Sequence, residues 1–169
     1  MIKIIKATLQ DVPVIQSLAA TIWPVTFKDI LSQEQISYMM DFMYSDSALE
    51  QQIGVHHHQF LLAQQNNNYI GYLSFELDYK SDTKTKIHKI YLLPEVQGQG
   101  VGKRLFEEVT ALALQHGNQT LSLNVNRDNS AVDFYKRIGF NIVGEENIAI
   151  GNGFLMEDYI MERPIGLPM

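Results

Sequence analysis

Apolar positions along this chain follow two rhythms, and the changes between them divide it into elements. Ile2 to Lys6 is short and β-branched, which predicts a first strand. After Asp11, Val12, Ile15 and Leu18 recur at helical spacing with Pro13 in the first turn, so a helix starts there. Ser32 followed by Gln35 resembles a capping box and predicts a second helix through Ile36, Met39, Met40 and Met43. Ser45 or Asp46 opens a third helical stretch that ends at Gly54.

From Gln59 the period shortens to two. Phe60–Ala63, Tyr69–Leu77 and Lys86–Leu93 are rich in β-branched and aromatic residues and read as three strands. The polar run Gln64 to Asn68 between the first two reads as a hairpin loop. Val101, Leu105, Val109 and Leu112 return to helical spacing, with Gly117 as the stop. Thr120–Val125 alternates again, and Asn129 or Ser130 then caps a helix through Phe134 and Ile138 that ends at Gly139. Phe140–Val143 and Phe154–Glu162 complete a strand pair. Strand, helices, three strands, helix, strand, helix and two strands make an α/β (α+β) layer structure, a mixed sheet covered by helices. The expectation is one domain over residues 1–169, with a helical segment at about 11–54 within it.

Composition narrows the function classes. Nearly half of the 169 residues are hydrophobic, which excludes a disordered chain. The formal net charge of −6 argues against nucleic acid as a partner and is compatible with a cationic substrate. The lack of cysteine removes disulfides, thiolate metal sites and thiol catalysis together. The first residues carry no signal-peptide pattern, and no apolar run reaches bilayer length, so a cytoplasmic protein without membrane contact is expected. His56, His57 and His58 are adjacent, so they do not converge on one face of a helix or strand. They read as a solvated turn, and no metal is expected.

The most informative stretch runs from Tyr91 to Leu105, where a strand enters a glycine-rich turn that opens directly into an amphipathic helix. Such a turn brings backbone N–H groups together on an anion, and the helix N-terminus adds its dipole. A ligand with phosphates is implied. The Walker A spacing fails, because three residues separate Gly98 from Gly102 and Arg104 follows Lys103. A dinucleotide fingerprint also fails, because Lys103 stands where its third glycine belongs. Gln97, Gly100 and Gly102 remain, spaced as Gln-x-x-Gly-x-Gly.

That spacing resembles the pyrophosphate loop of the GNAT (GCN5-related) N-acetyltransferases. Downstream, Leu123 to Phe140 looks like the second signature of the family: a strand, an Asn, a helix bearing Phe134-Tyr135, then Gly139-Phe140. The resemblance covers roughly Ile70 to Phe140. It implies a largely antiparallel central sheet with one splayed strand pair and flanking helices, and acetyl-CoA as co-substrate without metal. By the same resemblance, a backbone N–H near Leu92 and Leu93 polarises the thioester. The amides from Gln97 through Gly98, Gly100, Val101 and Gly102 to Lys103 hold the pyrophosphate, and Asn126 and Asn129 line the cofactor path. Asn129 has a second role open to it as a helix cap alone. Tyr135 stands where the family places a proton donor for the departing thiolate.

An amine is protonated near neutral pH, so a proton acceptor is needed. Glu76 and His88, on neighbouring strands, are the candidates, acting directly or through water; bulk water is the alternative. The segments from Thr21 to Phe27 and from Leu31 to Met39 resemble the bacterial branch of the family that includes polyamine (spermidine/spermine) N-acetyltransferases. On that resemblance Trp23, Glu34 and Tyr38 belong to the acceptor pocket, and the acceptor is a small amine, a polyamine first. An acyl-CoA sensor without turnover and a protein or peptide N-acetyltransferase are the rival readings. The family also pairs through its late strands, which allows for a homodimer.

Overall fold

The computed structural model describes residues 1–166. Seven strands form one sheet: β1 (Ile2–Lys6), β2 (Gln59–Gln65), β3 (Asn68–Glu76), β4 (Lys84–Leu92), β5 (Thr120–Asn126), β6 (Asn141–Gly151) and β7 (Phe154–Pro164). Their order across the sheet is β1-β2-β3-β4-β5-β7-β6, and every neighbouring pair is antiparallel except β4 with β5. The fold is the expected mixed α/β sheet with flanking helices.

Strand alternation sorts the apolar residues onto two faces. On β2, Leu61 and Ala63 join one cluster, while Phe60 and Leu62 join the other. The first cluster is covered by α4 (Val101–Gln115) and α5 (Ala131–Arg137), whose Leu105, Val109 and Tyr135 pack with Leu121, Leu123 and Met161. The second lies under α1 (Val12–Thr26), α2 (Gln33–Tyr44) and α3 (Asp46–Gly54), with Ile15, Ile22, Trp23 and Leu49 fully buried. Burying each such side chain contributes roughly 1.5–3 kcal/mol, so both layers hold the sheet. Among the described residues, no helix is long and apolar enough to cross a membrane.

Two irregularities of the sheet position the chemistry. The parallel pairing of β4 and β5 covers only Lys84–Ile87 against Thr120–Leu123. Beyond it β4 stays with β3 and β5 stays with β7, so the two strands part and the sheet opens in its middle. The second irregularity is a bulge. Ser74 opposes Lys89 and Phe75 opposes Ile87, which leaves His88 as the extra residue of β4, at the place where the strands part.

Two sequence expectations change. The last strand pair is longer than Phe140–Val143 predicted: β6 runs on to Gly151 as a mostly exposed edge strand, with too few covered positions for apolar alternation to mark it. The capping box at Ser32 is half formed. Its hydroxyl accepts from the Gln35 amide at 3.0 Å, but the Gln35 side chain donates to the Leu155 carbonyl at 2.8 Å instead of returning to the cap. Tyr38 also donates to the Ile150 carbonyl at 2.7 Å and packs on Phe154. These contacts tie α2 to the turn end of the β6–β7 hairpin.

Candidate active site

Gly100 ends the glycine-rich turn with φ of +84° and stands as N-cap of α4, a conformation that a Cβ strains. No side chain caps this helix. The amides of Gly98, Gly100, Val101, Gly102 and Lys103 therefore have no hydrogen-bond partner among the described residues. Those of Gln97 and Gln99 are used inside the turn, donating to Pro94 and Val96 at 3.3 Å each. The donor set is thus narrower than the continuous run from Gln97 to Lys103. A Cβ at Gly102 would meet the Phe134 ring at 3.4 Å, so this glycine also lets α5 lie close against the turn. Converging unpaired amides at a helix N-terminus suit a diphosphate.

The opened strands supply further backbone donors. The Leu93 amide donates to the Ile70 carbonyl of β3 at 2.9 Å. Strand alternation turns the Leu92 amide to the opposite edge, toward the gap, beyond the last β4–β5 pair. Across the gap, Tyr135 on α5 is 7% exposed, amid Phe106, Phe134 and Phe140. Its hydroxyl has no hydrogen-bond partner among the described residues, and it is not one of the sealed polar atoms. Burial pushes its ionisation well above the ordinary tyrosine value, so the phenol keeps its proton at any neutral working pH.

The opposite face of the same opening is crowded with ionisable groups. His88 Nε2 lies 3.0 Å from Glu76 Oε1, and His58 Nε2 lies 3.5 Å from the same oxygen. The His58 and His88 rings stack at 3.9 Å. Burial lowers His88 to about 2, helped by His58, Lys89 and Lys86, and this outweighs the nearby carboxylate. Burial likewise lowers His58 to about 4 and raises Glu76. Both imidazoles are therefore neutral at pH 7. Lys89 is 5% exposed, donates to Gln52 at 2.8 Å, and is lowered by burial to about 7. Lys86, lowered by burial to about 8, donates to Asn124. On β7, burial also raises the Asp158 carboxyl; one oxygen accepts from Asn124, and the other is sealed without a partner.

The remaining candidates are placed unevenly. Asn129 stands one residue before the Ser130 N-cap of α5, its side chain accepting from the Ala131 amide at 2.9 Å, and Asn126 accepts from the Asp128 amide at 2.9 Å. Trp23 departs from expectation. At 1% exposure, packed on Phe27 and Tyr91 with its indole N–H on the Tyr44 hydroxyl, it is a core residue with no surface for a substrate. Glu34 is exposed on the first turn of α2, and Tyr38 serves the hairpin tie. Of the three adjacent histidines, His56 and His57 lie in solvent as expected, while His58 turns inward. Lys89 and Asp158 carried no motif to announce them.

A sheet parted between two strands, a helix N-terminus with free amides and a buried phenol beside the gap define a protein that handles an acyl thioester. The description "Acetyltransferase (GNAT) domain" matches residues 27–162, and the chain belongs to the GNAT family of acetyl-CoA-dependent N-acetyltransferases. It is similar over 92% of its length, at 27% identity, to the spermidine N(1)-acetyltransferase of Thermoplasma acidophilum, of which 96% is covered. An uncharacterized N-acetyltransferase of Mycobacterium tuberculosis is 27% identical over 93% of this chain and 99% of its own. The crystal structure of the PaiA N-acetyltransferase of T. acidophilum in complex with coenzyme A superposes with a TM-score of 0.81, at 26% identity. That match covers 97% of this chain and 99% of the other.

Proposed function

We infer that this enzyme acetylates a primary amine of a polyamine. Similarity to a spermidine N(1)-acetyltransferase along nearly the whole length of both chains carries the reading. The tie between α2 and the β6–β7 hairpin supports it, because a helix fastened to the hairpin leaves less room for a protein surface than for a slender amine. Asp158, with one oxygen unpartnered, and Glu146 beside it in the ladder offer negative charge on the acceptor side.

Acetyl-CoA supplies the acetyl group as an activated thioester. The free amides from Gly98 to Lys103 hold its diphosphate at the start of α4, and the Leu92 amide polarises the thioester carbonyl. Glu76, whose carboxylate burial makes more basic, accepts the amine proton directly or through water, while neutral His88 at the bulge holds its Nε2 on the Glu76 Oε1 and orients it. Tyr135 holds its proton until it delivers it to the departing sulfur.

The test is a panel of amines, including spermidine, lysine peptides and aminoglycosides, with liberated thiol as the readout. Spermidine is expected to give the highest kcat/KM. Preference for another amine overturns the polyamine reading and leaves the family unchanged. No thiol release with any amine points to a coenzyme sensor.

A further inference from the structure

We propose that His58, Glu76 and His88 form a binding site for a zinc-class divalent cation, and that an ion bound there shuts off acetyl transfer. The three residues come from the loop before β2, from β3 and from the β4 bulge, and their ligand atoms all lie within 4.8 Å of one another. Two imidazoles and one carboxylate are a borderline-soft donor set that zinc accepts, with room for a fourth ligand. With metal–ligand bonds of about 2.0–2.1 Å, neighbouring ligands of a tetrahedral ion are separated by about 3.3 Å. The measured His–Glu separations, 3.5 and 3.0 Å, bracket that value.

Two sealed polar atoms on this side of the sheet lack partners. One is Nδ1 of His58 itself; the other is the hydroxyl of Ser74, two residues before Glu76 on the same face of β3. Such atoms mark a polar site that is incompletely satisfied by protein alone. The three side chains keep 14–24% of their surface exposed, which leaves a route for a hydrated ion.

The stack sets a condition. The His58 and His88 rings lie 11° from parallel, so their in-plane lone pairs do not meet at a point. One ring has to turn out of the stack before both nitrogens reach one ion, and His58, at the end of a loop, is the freer of the two. Lys86 and Lys89 lie close enough to influence His88, and their charge opposes a cation, so the affinity is modest. Inhibition rests on the proposed role of Glu76 as proton acceptor, because a metal occupies the carboxylate oxygen that role needs. Ion binding itself does not depend on that reading.

Untagged protein is titrated with Zn2+ in competition with a chromophoric zinc indicator, and with Co2+ for its visible spectrum. The expected result is one ion per chain, with a tetrahedral-type cobalt band. Glu76→Gln and His58→Gln weaken binding at least about tenfold, while the His56→Ala, His57→Ala double variant binds as the wild type does. No saturable ion, or binding that follows His56 and His57 instead, overturns the site. Should His58→Gln fail to fold, the isosteric Glu76→Gln decides. Zinc is then added to the acetylation assay. Binding without inhibition refutes the shut-off, and binding in a chain that acetylates no amine leaves the metal site standing.

Discussion

The two faces of the central sheet solve different problems with different parts of the chain. Under α4 and α5 the packing is almost wholly apolar, and what faces the coenzyme is backbone: free amides at a glycine turn and along a parted strand. Under α1 to α3 aliphatic side chains surround an aromatic group of Trp23, Phe27, Tyr44, Phe60 and Tyr72, and along β4 and β7 the same face carries buried or half-buried Lys86, His88, Lys89 and Asp158. Backbone donors suit a ligand that never changes, because they cannot be substituted away. Side chains suit an acceptor, because exchanging them alters which amine fits and where its proton goes. The coenzyme half is therefore generic and the acceptor half particular.

Substitutions test this division, starting with the largest effect. Trp23→Ala removes the centre of the aromatic packing behind the acceptor face and is expected to destabilise the chain by about 3–5 kcal/mol, read from denaturant unfolding. Retention of most of that stability would show that this layer is peripheral. Tyr135→Phe should cut kcat by about a hundredfold, with acetyl-CoA affinity and melting temperature close to wild type. An unchanged kcat removes the phenol from the mechanism and leaves the coenzyme side with backbone alone. Gly100→Val forces a β-branched residue to a φ of +84°, a strain of about 1–3 kcal/mol, and should appear as weaker acetyl-CoA binding by calorimetry. Equal binding would mean that the turn is not the anchor.

The smallest effect concerns Asp158 and pH. Burial raises its carboxyl, so the folded chain keeps that proton to higher pH than the unfolded chain does. Across that window the native state binds more protons, and stability falls as pH rises through it. Asp158→Asn lacks this ionisation. It should be more stable than wild type near neutral pH, and the gap should close below the ordinary carboxylate range. Denaturant midpoints for both proteins across pH 3 to 8 check the sign, and a gap that persists at low pH assigns the difference to packing instead.

The division also explains what could be read before the structure was known. Backbone work leaves its trace as glycine, so Gly98, Gly100 and Gly102 made the phosphate turn legible, and Phe134-Tyr135 after a strand marked the second signature. The acceptor side keeps no fixed spacing. His58, Glu76 and His88 come from three separate segments, and Glu76 and His88 were singled out only as separate strand residues. Trp23 was assigned to the pocket by the resemblance of its segment to the polyamine branch, but aromatic residues line pockets and cores alike, and only the packing of α1 decides between them. Helix α1 also runs through Pro24, which a reading by local rules treats as a breaker. The wet strand β6 beyond Val143 carried no periodic signal at all.

The short seam between β4 and β5 has one more consequence. Four rungs join β1–β4 to β5–β7 across the middle of the sheet, like the stitching of a book whose covers already stand apart. A molecule lodged between the covers grips both and becomes a second fastening, so the coenzyme is, by linkage, part of what keeps this protein shut.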